Sequence, residues 1–232
     1  MKKIKICHLY YDLMNLYGET GNIKALTSFL DNQKQEYEVL YKTIDDKINF
    51  KDFDIIYIGC GDKEAQKLVL KDIMKYKDDI KDIIEDTTII ATGNSYELFG
   101  TNIDKSKALG IFDFKSTSIE EAIKGAQVLS TTLIDKKVIG FQNRFSVNNI
   151  NEDYLFEVIE GNGNNEEVSF EGYHKYNFYG TYTFGPLLIR NPFFLEYIMK
   201  NLFDKLGIAY REVKDTPDII AYNEFIKNFN IE

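Results

Sequence analysis

The 232-residue sequence has only two cysteines and two histidines. Cys7 and Cys60 are too few for a disulfide framework or a zinc site built from several thiolates. His8 and His174 are the only imidazoles, so any Cys-His or Ser-His mechanism must use one of them. No run of about twenty apolar residues is present, which excludes an ordinary transmembrane helix. The opening "MKKIKICHLYYDLMN" has the basic flank of a secretion signal. His8 and Asp12 interrupt its apolar stretch and no small-residue cleavage site follows, so a soluble cytoplasmic protein is expected. Basic stripes with interleaved aromatics are also missing. With a net charge of -9 this argues against nucleic acid, whose binding relies on Lys and Arg displacing counterions. Neither a membrane partner, a metal nor a cofactor is expected.

What is present is an alternation of strand-like and helix-like segments. "KIKICHLY", "EYEVLYKT", "FDIIYIG" and "TTIIAT" read as four strands in the first hundred residues. Between them, Asn22 to Gln35 places Ile23, Leu26, Phe29 and Leu30 on one helical face. Lys63 to Asp86 carries Leu68, Ile73, Ile80 and Ile84, with an interruption near Lys77, and a further helix is expected from Ser95. This spacing predicts a mostly parallel sheet flanked by helices. The second half is richer in strands: "LGIFDF", "AQVLSTTLI", "KVIGFQN", "YLFEVIEG" and "NFYGTYT", with Gly- and Asn-rich turns such as "EGNGNNEE". An antiparallel portion of the same fold is expected there. "NPFFLEYIMKNLFDKLG" reads as a helix, with Pro192 in its first turn and Gly207 as its stop. A last amphipathic helix spans Thr216 to Phe229, and residues 1–232 read as one α/β domain.

Two strand-to-helix loops attract attention. "IGCGDKEAQ" reads either as a tight turn or as a cradle for an anion at a helix N-terminus, without the Walker or Rossmann spacing. Its Cys60 would need a nearby base to act as a nucleophile. "IIATGNSYELFG" has the strand–turn–helix form in which α/β enzymes hold a nucleophile, yet its crest is Thr92-Gly93-Asn94-Ser95. Ser95 is expected to cap the following helix. His8 reads as a structural histidine at a strand end, and His174 as a solvent-exposed turn residue. Phe178, Tyr179, Tyr182 and Phe184 read as alternating strand residues, and Asp78-Asp79 and Glu166-Glu167 as solvated charge. Composition and spacing by themselves assemble no catalytic set.

The order of motifs carries a resemblance. "LYYDLMNLYGETGNIKAL", "YIGCGDKEAQ", "ATGNSYELFG", "LGIFDF", "IGFQNR", "GNGNN" and "GTYTFGP" together resemble the GatD-type, CobB/CobQ-like class I glutamine amidotransferases, over roughly Leu9 to Leu202. The resemblance implies a flavodoxin-like class I amidotransferase fold. It also implies a subunit of lipid II isoglutaminyl synthase that hydrolyses glutamine and passes ammonia to a Mur-ligase-like partner, MurT. That partner uses ATP to amidate the glutamate of the peptidoglycan stem peptide.

Three departures accompany it. The family's nucleophile lies in a motif like C-G-G-Y-Q-L-L-G, and its cysteine falls on Gly93. The family histidine, in a motif like G-T-Y-L-H-G-P, falls on Phe184. The arginine of an E-N-H-G-G-R-T pattern, which helps hold glutamine, falls on Val147 within "QNRFSVN". Members of a nucleophile–base pair act as a unit, so the resemblance implies a degenerate member without ordinary glutaminase activity. Glycine at the crest would keep a strained turn while discarding the thiol. The expected vestigial pocket comprises Gly59, Cys60, Gly61, Gly93, Asn94, Ser95, Asn143, Arg144, Val147 and Phe184. Three roles are compatible with it: a non-catalytic partner or regulator of a Mur-ligase-like enzyme, a small-molecule sensor, or an amidotransferase subunit with altered chemistry through Cys60, Asn94 or Glu97.

Overall fold

The computed structural model describes residues 2–228; Phe229, at the end of the expected last helix, lies outside them. The first sheet contains β1 (Ile4–Leu9), β2 (Tyr37–Lys42), β3 (Ile55–Ile58), β4 (Thr88–Thr92), and two late arrivals described below. β3 and β4 are buried at every position. An uninterrupted apolar strand is stable only when both faces of the sheet are covered, the usual state of a parallel sheet. Ile55 and Tyr57 belong to the core on one face and Ile56 and Ile58 to the core on the other.

The helices α1 (Thr20–Gln33), α2 (Lys63–Ile73) and α3 (Lys77–Ile83) supply part of that cover. Asp62 caps α2 by accepting from the Ala65 amide at 2.7 Å. A short 3₁₀ segment, Met74–Tyr76, separates α2 from α3, where the sequence pattern is interrupted.

After β4 the chain enters a second sheet: β5 (Asn102–Ile103), β6 (Ser106–Lys107), β7 (Lys115–Thr131), β8 (Ile134–Asn148), β9 (Phe156–Glu160) and β10 (Phe170–Glu171). β7 and β8 form a long antiparallel hairpin with a register shift between Ser118 and Ile123. The chain then returns to the first sheet as β11 (Tyr173–Lys175) and β12 (Phe178–Thr181). The first sheet has the order β11-β12-β4-β3-β1-β2, parallel except for the β11–β12 pair. An isolated antiparallel bridge between Phe141 in β8 and Phe184 after β12 joins the two sheets. The short α4 (Leu187–Arg190), α5 (Pro192–Leu206) and α6 (Pro217–Asn228) close the chain. Pro192 stands in the first turn of α5, and Gly207 ends it at φ 66.

The mixed α/β fold with a parallel sheet agrees with expectation, and several local readings need correction. "LGIFDF" is not a strand. The amides of Leu109, Ile111 and Phe112 donate to the carbonyls of Leu98 and Phe99, so that stretch folds back on the turn after β4 and has no ladder partner. The helix expected from Ser95 is a 3₁₀ segment spanning Gly93–Phe99. Ser95 does not cap it: its hydroxyl donates to the carbonyls of Ile58 and Thr92. His174 is half-buried in β11, with Nδ1 2.9 Å from the Phe178 carbonyl and its ring stacked on Tyr179.

Candidate functional site

The strand order 2-1-3-4 reverses between β1 and β3, and ligands of open α/β sheets bind beyond the carboxyl ends of strands near such a reversal. The loops after β1, β3, β4 and β12 converge there on a cavity of about 390 Å³. Its lining includes Leu16 and Tyr17, Cys60 to Lys63, Gln66, Gly93, Asn94, Glu97, Ser118 and Ile119, Asn143 to Ser146, and Phe184.

The crest of the turn after β4 has left-handed geometry, with Gly93 at φ +63. A Cβ added there would lie 2.4 Å from both Cβ and Sγ of Cys60. The thiol of the neighbouring loop thus fills the space that a side chain at position 93 would need. Cys60 is 4% exposed, and burial, reinforced by the charges of Glu19 and Glu97, pushes its thiol up to about 12; the contact with Asn94 opposes this. At neutral pH the group is a protonated thiol, the form that does not attack a carbonyl. Asn94 Oδ1 accepts from the Gly61 amide at 3.1 Å and from the Cys60 thiol at 3.6 Å.

The opposite wall is built from β8 and the loop after β12. Phe184 is buried and stacks on Tyr17, centroids 4.2 Å apart with an interplanar angle of 2°. Asn143 Nδ2 donates to the Tyr17 hydroxyl at 2.9 Å. Arg144 is 4% exposed. Its guanidinium donates to Gln142 Oε1 at 2.8 Å and to the carbonyls of Ser146 at 2.6 Å, Asn164 at 3.0 Å and Gly163, and lies 4.1 Å from the Tyr182 ring centroid. None of those four acceptors is a carboxylate, and the fork is almost fully used before any ligand arrives.

Glu97 forms the floor. It accepts from Gln66 at 2.8 Å, from Tyr182 at 2.9 Å and from the Ser146 hydroxyl. Burial raises its pKa against those hydrogen bonds and the charge of Arg144. Behind the second wall, Glu171 accepts from Thr181 and from the Tyr182 amide, both at 2.6 Å, and burial pushes it up to about 7. Behind the elbow, Glu19 accepts from Tyr57, Thr92 and Asn22 through one oxygen, and its other oxygen has no partner among the described residues. Its pKa is also raised by burial.

The structure brings Cys60, Gly61, Gly93, Asn94, Asn143, Arg144 and Phe184 together and leaves three expected residues off the lining. Gly59 packs behind it, where a Cβ would lie 2.3 Å from the Met14 carbonyl and 2.6 Å from Glu19 Cβ. Ser95 is tied to backbone carbonyls beneath the turn. Val147 lines a separate depression with the residues from Ile119 to Lys124. Neither histidine reaches the cavity. His8 is packed among Tyr11, Tyr41 and Tyr57, and burial lowers it to about 4. Sequence reasoning assigned no site role to Leu16, Tyr17, Glu19, Gln66, Glu171 or Tyr182; Tyr182 and Phe184, read as strand residues, lie just beyond β12. Tyr17 and Glu19 lie inside "LYYDLMNLYGETGNIKAL", the motif that could have pointed to them.

Comparison with known proteins agrees with this architecture. The profile of the CobB/CobQ-like glutamine amidotransferase domain matches residues 5–192. The chain is similar to the protein named lipid II isoglutaminyl synthase (glutamine-hydrolyzing) subunit GatD of Staphylococcus aureus (strain N315). Identity is 29% over 238 residues, covering 99% of this chain and 98% of the relative. It is 28% identical over 200 residues to the protein of the same name from Streptococcus pneumoniae (strain ATCC BAA-255 / R6), covering 82% and 76% respectively. A crystal structure of a glutamine amidotransferase superposes with a TM-score of 0.53 at 11% identity, covering 87% of this chain and 99% of the other, a likeness of fold.

Proposed function

We propose that this chain, which belongs to the CobB/CobQ-like glutamine amidotransferase family, is a GatD-like subunit that has lost glutaminase chemistry and serves a Mur-ligase-like partner as a non-catalytic or regulatory subunit. The observation that carries this reading is the exchange at the elbow: Gly93 has no side chain, and Cys60 occupies the space one would need. A carboxamide hydrolase of this type needs a thiolate and a base within hydrogen-bond reach. The cavity holds one thiol, pushed up to about 12, and no imidazole. Phe184 can stack but cannot take a proton. The relatives named as subunits of lipid II isoglutaminyl synthase support a partner that acts on peptidoglycan precursors.

The test is an ammonia assay with L-glutamine, on the purified chain and on its complex with a Mur-ligase-like enzyme of the same organism. No release above background is expected, together with co-purification of the two proteins. Release that survives Cys60→Ala would reveal another nucleophile, and release abolished by it would make Cys60 catalytic; either overturns the non-catalytic reading. Failure to associate with any such ligase removes the partner.

A second reading, a small-molecule sensor, is favoured by the cavity itself, whose volume of about 390 Å³ lies within the range of ligand pockets. A metabolite panel read by thermal shift separates it from a pure scaffold.

A further inference from the structure

We infer that Asn94 is a built-in occupant of the donor pair at the elbow, and so the residue that sets which ligands the cavity accepts. Two donors from the loop after β3 face its side-chain oxygen: the Gly61 amide at 3.1 Å and the Cys60 thiol at 3.6 Å, whose one hydrogen is shared with the Gly61 carbonyl at 3.7 Å. All three residues line the cavity. A carboxamide oxygen held between a backbone N–H and a thiol is where a small amide or acid entering the cavity would place its own oxygen. Here the chain already supplies that oxygen.

The occupant is fixed from below. Gln66 Nε2 donates to the Asn94 carbonyl at 2.7 Å and to Glu97 Oε2 at 2.8 Å, which ties the backbone of residue 94 to α2 and to the buried carboxylate. The preceding residue, Gly93, turns the chain at φ +63, and its missing Cβ leaves room for the Cys60 side chain. One N–H serves one acceptor well, so an incoming oxygen must displace Asn94. An occupant on the same chain competes without the loss of translational freedom that a free ligand incurs, so it holds the amide against a dilute carboxamide or carboxylate. Ligands without such a group do not meet this competition.

This rests on the non-catalytic reading above and is tested separately from it. The full ¹⁵N-labelled chain and its Asn94→Ala variant are titrated with L-glutamine and with L-glutamate while the Gly61 amide resonance is followed. In the wild type the resonance stays put. In Asn94→Ala it shifts saturably, with a dissociation constant at least about tenfold below any wild-type value. Asn94→Gly serves as the second variant if the alanine form does not fold. A wild-type Gly61 amide that shifts at the same ligand concentration as the variant overturns the inference. So does a folded variant that gains no binding. Ammonia is measured in the same samples. Release by the wild type marks failure of the non-catalytic reading, whereas binding by the variant without release supports both.

Discussion

The two walls of the cavity are held in different physical ways. At the elbow wall the constraint is steric: Gly93 and Cys60 share one volume, and only one of them can carry a side chain into it. At the β8 wall it is a matter of stacking and charge, with Phe184 lying flat on Tyr17 and Arg144 committed to four acceptors. The difference teaches that a thiol and an imidazole would enter this cavity on different terms. A thiol at position 93 needs vacated volume, and an imidazole at position 184 needs the stack on Tyr17 given up.

The largest expected effect is on the charged wall. Arg144→Met leaves three carbonyls and one amide oxygen without their donor in a buried setting. The expected cost is about 3–5 kcal/mol, seen as a fall in melting temperature of about 10 °C or more. A loss below about 1 kcal/mol would mean that water replaces the guanidinium and that this wall is not held by charge.

Next is a pH effect carried by a buried acid on the same side. Glu171 is raised to about 7, so the folded state holds its proton over a range in which the unfolded state has released it. Its contribution therefore favours folding at low pH and is lost as pH rises from about 4.5 to about 7, by roughly 3 kcal/mol in total. Denaturation of Glu171→Gln across this range should lack that component, whereas Cys60→Ala should keep it. Equal slopes in wild type and Glu171→Gln would show that the buried Glu171 carboxyl is not the source of that component.

At the elbow, Gly93→Cys combines a left-handed backbone with a side-chain overlap, and is expected to cost about 2–4 kcal/mol. Adding Cys60→Gly should recover about half, so the two substitutions are non-additive by about 1–2 kcal/mol in a double-mutant cycle. Additive behaviour would show that the shared volume is not what couples them. The smallest effect belongs to Phe184→His, which weakens the stack on Tyr17 by about 1 kcal/mol in a denaturant melt and leaves ammonia release at background.

The same contrast runs through what could be read from the sequence. The parallel sheet was legible because its information is local: "IIYI" and "TIIAT" are unbroken apolar strands, and Pro192 and Gly207 bracket α5. The elbow was legible for a similar reason, as a glycine at the crest of a strand-to-helix turn. The first part of β7 was not, since "IEEAIK" has no strand alternation and spans the irregularity between the Ser118–Ser146 and Ile123–Arg144 pairs with β8. "LGIFDF" misled in the opposite direction, being apolar enough for a strand while its amides were taken by the turn after β4. At the site, Gly93 and Cys60 could both be named, but not their contact: that Cys60 lies against Gly93 follows from the β3–β4 register, a non-local fact. Arg144 was noticed, whereas its acceptors at Gly163 and Asn164 lie in a loop brought alongside by the fold. Glu171 could not be told from an ordinary surface acid, because nothing in its local sequence announces burial.

The bridge between Phe141 and Phe184 consists of two main-chain hydrogen bonds, 3.2 and 2.9 Å long. The path of the chain at residue 184 is therefore set by main-chain atoms that every residue but proline possesses. Such a position acts as a socket with a fixed mount. Its side chain can be exchanged, an aromatic ring for an imidazole or the reverse, without the doorway around it changing shape, so the form of the cavity and the chemistry of its wall can vary independently.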